Sequence, residues 1–174
     1  MPQVDFPDWR DLLAGKHLLF DTDAIVSLIA FKAASVLDTL RSLDCSFHYI
    51  NPVLLELMST NSSSERLSRL ALLARHNFTE LPLTATELKN ARRIQDSMPI
   101  GIKGSPSAAD FYIGGAMLHY SHGNTFLLTS NIKDFPMPLF PRESFIPLIN
   151  QTDFKAISVL SIDDTKLVQP EDLA

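Results

Sequence analysis

A single cysteine, Cys45, stands among 174 residues, so neither an internal disulfide nor a cysteine-rich zinc site is available, and a lone thiol suits a reducing compartment. Basic residues are outnumbered. Fifteen Lys and Arg face 20 Asp and Glu, a formal charge of -5, which excludes bulk attraction to a polyanion and leaves any nucleic-acid contact to local patches. Long apolar runs are missing too: stretches such as Ala24–Val26 and Leu28–Phe31 fall far short of the ~20 residues a membrane-crossing helix needs. No membrane association is expected. Residues 1–10 carry Asp5, Pro7 and Asp8 where a secretion signal would need basic residues and then an apolar core, so the expected location is cytoplasmic. The chain holds no internal repeat and no low-complexity tract.

What is present is the composition of one packed domain, with 45% apolar and 20% charged residues and a mean hydropathy of +0.07. Lys16–Phe20 is a short continuous apolar run that stops at Asp21, as suits a strand covered on both faces. From Asp23 apolar residues recur at helical spacing, with no Gly or Pro before Asp44, which predicts one long helix. Phe47–Ile50 reads as a second strand, and Asn51 and Pro52 as the cap and first residue of a helix that carries Glu56. Glu65–Arg75 continues helically. Phe78–Leu83 is a third strand, Thr84 and Glu87 form a capping box ahead of a helix to about Ser97, and Met98–Gly104 is a loop. Ser105 and Pro106 read as the start of a helix through Asp110 to about Tyr120, whose Gly114 and Gly115 permit close packing. Thr125–Ser130 is a fourth buried strand, Phe145–Ile149 and Ile157–Ile162 are candidate edge strands, and the tail after Asp163 reads as loose. Strands alternating with helices of this length imply right-handed crossovers and an α/β fold, a three-layer α/β/α sandwich with a mainly parallel central sheet. The predicted organisation is an extension over residues 1–15, a domain over 16–150, and a C-terminal extension over 151–174.

In an open parallel sheet the carboxyl ends of the strands form the functional rim. Asp21 and Asp23 follow the first strand, Glu56 lies on the first turns after the second, Asp110 lies early in the helix before the fourth, and Asn131 and Asp134 follow the fourth. Carboxylates gathered this closely raise one another's pKa unless a cation neutralises them, and hard oxygen donors suit Mg²⁺ or Mn²⁺, which accept phosphate oxygens. A phosphodiesterase site is one reading. The other is that these acids are helix caps and surface groups, which is the simpler account of Asp23 and Asp134 taken singly.

The runs Leu18-Leu19-Phe20-Asp21-Thr22-Asp23, Pro52-Val53-Leu54-Leu55-Glu56-Leu57, Ala108-Ala109-Asp110 and Leu127 through Phe135 resemble the PIN domain in order and spacing, over about residues 16–136. The resemblance is closest to VapC-type toxins of bacterial toxin-antitoxin pairs. It implies a metal-dependent ribonuclease that hydrolyses an RNA phosphodiester with metal-activated water. By this resemblance Asp21, Glu56 and Asp110 match the three acids; Asp21 and Asp110 are the first-choice ligands for Mg²⁺ or Mn²⁺, and Glu56 binds through water or assists proton removal. The fourth acidic position is here Asn131, an amide without charge, and Asp23 stands where Asn or Ser is common. Thr129 matches the family hydroxyl and Asp134 the acid before Phe135, both as supporting residues. The most basic stretch includes Arg92, Arg93 and Lys103, which face RNA phosphates in one reading and solvent in the other. An antitoxin partner follows from the resemblance alone. Leucines and valines beyond what one helix face needs point to a homodimer interface or to a buried core.

Two alternatives stay open. Asp21-Thr22-Asp23, with Leu127–Ser130 and the later Asp163-Asp164 pair, also resembles haloacid-dehalogenase-type phosphatases, although an uninterrupted helix from Asp23 replaces their flap and Glu56 and Asp110 go unexplained. Asn131 favours a catalytically silent PIN-fold binding module. The five histidines are scattered, and a turn or core role is expected of them rather than zinc ligation.

Overall fold

The computed structural model describes residues 6–98, 106–120 and 124–168. Helix α1 (Trp9–Leu13) precedes β1 (His17–Phe20), which is followed by α2 (Thr22–Ala30) and α3 (Ala34–Ser42). β2 (Ser46–Ile50) leads to α4 (Asn51–Met58) and α5 (Ser63–Arg75), and β3 (Thr79–Leu81) to α6 (Ala85–Ser97) and α7 (Ala108–Tyr120). β4 (Thr125–Thr129), β5 (Arg142–Ile149), β6 (Phe154–Leu160) and a 3-10 turn (Asp164–Lys166) complete the order. Among the described residues no helix is long and apolar enough to cross a membrane.

The strands form one sheet in the order β3-β2-β1-β4-β6-β5. The first four are parallel, whereas β6 runs antiparallel to both β4 and β5. Helices α2 to α5 carry the chain outward from β1 to β3, and α6 and α7 bring it back past β2 and β1 to β4. Right-handed crossovers in opposite directions put these two sets on opposite faces of the sheet. The result is a three-layer α/β/α arrangement with a mixed, largely parallel sheet. Leu18, Leu19 and Phe20 are fully buried, and every residue of β4 is buried, as strands covered on both faces require. Trp9 and Leu13 before this sheet, and Ile157, Val159 and Leu167 near its end, join the same core.

The predicted long helix is two helices. α2 stops at Ala30, and Lys32 adopts φ 53 before α3 starts. The Ala33 N–H reaches the Leu28 carbonyl at 2.9 Å and the Lys32 N–H reaches that of Ile29 at 3.0 Å, the paired bonds of a Schellman stop. Asp44 (φ 58) ends α3 and Asn77 (φ 49) ends α5 with the same pair of bonds. None of the three is glycine. The break after α2 follows from length: a helix of some 20 residues spans ~30 Å, while a four-residue strand spans ~13 Å, so an unbroken helix would overshoot the start of β2.

Two strands also differ from expectation. β6 is inserted between β4 and β5, so of these two strands β5 alone lies at an edge, where Pro147 is tolerated because its missing N–H faces no partner strand. The segment after Asp163 makes a turn that buries Leu167, and the Val168 N–H bonds Ser97 Oγ at 2.8 Å.

The α6–α7 contact rests on Gly115, where a Cβ would come within 2.4 Å of the Glu87 carbonyl oxygen and 2.8 Å of the Ala91 nitrogen, both backbone atoms. Gly115→Ala is therefore expected to lower unfolding stability by about 1–3 kcal/mol. Lys32→Gly should raise it by about 1 kcal/mol, because the left-handed backbone costs a residue with a Cβ ~1–2 kcal/mol. Urea titrations of the two variants and the parent check both values.

Candidate functional site

The direction of winding reverses between β1 and β4, and the crevice outside their carboxyl ends is where open α/β sheets place ligands. Asp21 is the first residue after β1. Its N–H extends the ladder by one bond to the Leu128 carbonyl at 3.0 Å, which fixes the side chain at this junction. The carboxylate makes no N-cap bond to α2; instead Thr129 Oγ1 donates to its Oδ2 at 2.7 Å. Thr129 is fully buried, and its hydroxyl accepts the Asn131 N–H at 3.0 Å. The Asn131 amide in turn donates to Asp134 Oδ2 at 2.5 Å. One continuous set of bonds therefore runs from Asp21 to Asp134.

Two further acids arrive from other elements. Glu56, half-buried on α4, accepts a 2.6 Å bond from Thr22 Oγ1, which draws it to the residue next to Asp21. Asp110 is buried in the first turn of α7. The Ser107 N–H donates to its Oδ2 at 2.5 Å while its own N–H reaches Ser107 Oγ at 3.3 Å, the reciprocal bonds of a capping box. The cap is therefore Ser107, two residues beyond the predicted Ser105, which lies outside the described residues. At α4 the predicted cap Asn51 is instead the first helical residue, after the N-cap Ile50, and its side chain reaches Glu80.

Electrostatics couples the group. Burial pushes the Asp21 carboxyl up to about 7, against the Thr129 hydrogen bond and with added repulsion from Asp23 and Asp110. Asp110 is raised by burial, with Asp134 and Glu56 adding to it against the bonds from Ser107. Asp134 is raised by burial and by Asp23, against its bond from Asn131. The fold thus brings together Asp21, Asp23, Glu56, Asp110, Asn131 and Asp134, with Thr129 between them. Asp23 supplies charge to the cluster from the half-buried first turn of α2.

Among the described residues, no three His, Cys, Asp or Glu side chains stand so as to hold one metal ion. One oxygen of Asp21, Glu56, Asp110 and Asp134 is in each case held by a neutral donor. The donor chemistry nevertheless fits a hard divalent cation: all the charged groups are carboxylates, and burial, with repulsion from neighbouring acids added to it, holds three of them above their ordinary pKa. Rotation of these side chains about their existing anchors is what ligation would require.

Of the basic candidates, Arg92 is exposed on α6 and 4.0 Å from Asp96, Arg93 has a buried Nε without a hydrogen-bond partner, and Lys103 lies outside the described residues. Thr22 and Ser107 were not anticipated. The Ser-x-x-Asp spacing of Ser107 was legible as a capping box, whereas Thr22 lies 34 positions from Glu56 and no local signal connects them. Nor was the contact of His17 Nδ1 with His48 Nε2, 3.1 Å apart at the other end of the sheet. Compared with known proteins, the chain matches no protein-family model, no curated protein and no solved structure.

In metal-free protein the folded state holds the Asp21 proton up to about pH 7, while the unfolded chain loses it near 3.8. The stability this carboxyl contributes is present below pH 3.8 and is lost as pH rises to about 7. Asp21→Asn in EDTA should therefore be more stable than the parent at pH 8, by on the order of 2–4 kcal/mol, with a shallower fall between pH 4 and 7. Thermal and urea unfolding across that range measure the difference.

Proposed function

We propose that this chain is a PIN-like, divalent-metal-dependent endoribonuclease. The observation that carries the reading is the buried Asp21 carboxyl at the β1–β4 junction, pushed up to about 7 by burial and by neighbouring acids that the chain delivers from separate elements. A lone structural acid would not be placed among four others. The parallel order β3-β2-β1-β4 and the spacing of the acid-bearing runs support the same assignment.

Asp21 and Asp110 would hold Mg²⁺ or Mn²⁺, with Glu56 bound directly or through water. When bound, the cation supplies a water of lowered pKa and neutralises charge on the scissile phosphate. Thr129 keeps Asp21 oriented, and Thr22 does the same for Glu56. Asn131 positions Asp134 and adds no charge of its own. Glu56, half-buried and bonded to Thr22, the residue that follows Asp21, would be the group to take a proton from an attacking water. A toxin role with an antitoxin partner belongs to the same reading. So does a cytoplasmic homodimer, for which the exposed Leu55 and Leu67 on α4 and α5 offer apolar surface.

A silent binding module is the second reading, favoured by the absence of a closed three-acid set among the described residues and by the engagement of the Asn131 amide with Asp134. The phosphatase alternative has less behind it. Although the helix after Asp21 is broken at Lys32, α2 still begins at Thr22 and leaves no room for a flap. The Asp163-Asp164 pair follows the antiparallel strand β6, at the end of the sheet opposite Asp21, where Asp163 caps Thr165.

The purified chain is expected to cleave RNA with Mn²⁺ or Mg²⁺ and to stop in EDTA. Asp21→Asn and Asp110→Asn should each lower cleavage by ~100-fold or more, the scale of an oriented catalytic group. RNA binding without cleavage at millimolar Mn²⁺ would establish the silent module, and release of phosphate from small phosphomonoesters would establish the phosphatase.

A further inference from the structure

β6 begins at Phe154 but first pairs with β4 four residues later, at Ser158, which lies opposite Thr129, the last residue of β4. β5 accompanies it outward to Ile149. The β5–β6 hairpin therefore runs on for ~13 Å past the carboxyl end of β4, at the end of the sheet where Asp21 lies. Register also fixes which way its side chains face, because residues opposite one another share a face of the sheet, as do residues two apart. Thr129, Ser158 and Phe145 form one row, on the face where the Thr129 hydroxyl bonds the Asp21 carboxylate. Ala156 with Pro147, and then Phe154 with Ile149, continue that face outward.

A hairpin with one face in water ordinarily turns polar residues outward. This one does not. Ile146 and Leu148 are buried on the far face, yet on the face of Thr129 the exposures are 39% for Phe145, 64% for Phe154 and 72% for Ile149. Phe6 packs edge-on against Phe145, with ring centroids 5.9 Å apart, and leaves Phe154 and Ile149 bare. The turn after β4 leaves the same row. Its apex, Ile132 and Lys133, is held between Asn131, whose N–H is bonded to Thr129, and Asp134, which accepts from the Asn131 amide. Lys133 is exposed and makes no ion pair among the described residues, although its charge reaches Asp134.

An aromatic ring for bases together with a cation for the backbone is how single strands are held without regard to sequence. In a chain of net charge -5 such contacts have to be local. We propose that the overhanging hairpin is a platform for single-stranded RNA entering the crevice at Asp21, with a base stacked on Phe154 and a flanking phosphate on Lys133. The proposal rests on the ribonuclease reading and adds to it a requirement for unpaired substrate, since only an unstacked base offers its face to the ring.

Fluorescence anisotropy of a labelled single-stranded RNA with the full-length chain, in EDTA and over a series of KCl concentrations, tests the platform separately from cleavage. Phe154→Leu is expected to weaken binding about tenfold, whereas Phe154→Trp should retain it and show quenching of the added indole by RNA. Leucine would serve as well if the ring were only apolar surface. Lys133→Gln should make the dependence of log Kd on log salt shallower by about 0.7, one phosphate on a single strand, and Lys133→Arg should keep the parent slope. Equal affinity for the single strand and its duplex, no RNA binding in either EDTA or Mn²⁺, or affinity unchanged in both Phe154→Leu and Lys133→Gln would overturn the assignment. So would a parent dimer that Phe154→Leu dissociates, because a second copy would then cover the hairpin. Failure of the ribonuclease reading alone would show as Phe154-dependent RNA binding without cleavage in Mn²⁺. Failure of the platform alone would show as metal-dependent cleavage whose KM is the same in the parent, Phe154→Leu and Lys133→Gln.

Discussion

The hydrogen bond from Thr129 to Asp21 joins the ends of β1 and β4 at the bottom of the rim crevice, and the arrangement of the other acids follows from it. For the bond to form, β4 must lie beside β1 although α2 to α7, β2 and β3 intervene in the chain. That return path runs through α6 and α7, which meet closely enough that Gly115 has backbone where a Cβ would be. Asp110 is carried to the rim by the same pair of helices. A carboxyl only 6% exposed, with other acids around it, must then keep its proton or gain a cation, because burial penalises the charged form.

Each acid of the cluster also has a structural attachment. Asp110 closes a capping box, Glu56 ties α4 to the start of α2, and Asp134 holds the turn after β4 through Asn131. These bonds restrict the side chains without neutralising them, since a hydroxyl, an amide and a backbone N–H bring no formal charge. Local attachment and unrelieved charge together are what distinguish this rim from a set of ordinary helix caps, which satisfy backbone donors at little electrostatic cost. They also set a conflict between stability and function, because the substitutions that relieve repulsion are those that remove candidate ligands.

A similar economy governs the chain reversals. Three helices end in Schellman motifs with Lys32, Asp44 and Asn77 in the left-handed position where glycine is usual. Asp and Asn tolerate that backbone through local side-chain bonding, while Lys does not. Lys32 is therefore held by the docking of α2 and α3 on either side of it. At the far edge of the sheet, Pro147 occupies the strand that needs no outward donor, and β6 covers β4 from the other direction.

Much of the fold was written locally. The apolar runs at Leu18–Phe20 and Phe126–Leu128, the capping box of Thr84 and Glu87, and the small residues at Gly114 and Gly115 each state a burial, a helix start or a close approach in neighbouring residues. The rim position of Asp21, Glu56 and Asn131 followed from strand ends alone, because side chains just past parallel strands converge whatever joins those strands, whereas Asp110 reaches the rim through the α6–α7 pair. The break at Lys32 was not legible, since no Gly or Pro marks it and the length of β1, rather than any residue near position 32, limits the helix. The place of β6 was equally hidden: apolar alternation identifies a strand but not its neighbours. Thr22 on Glu56, and the carboxyl of Asp21 raised to about 7, belong wholly to the tertiary structure. Patterns in sequence report what a residue requires of its near neighbours, whereas burial and Coulomb repulsion depend on distances that only the packed chain sets.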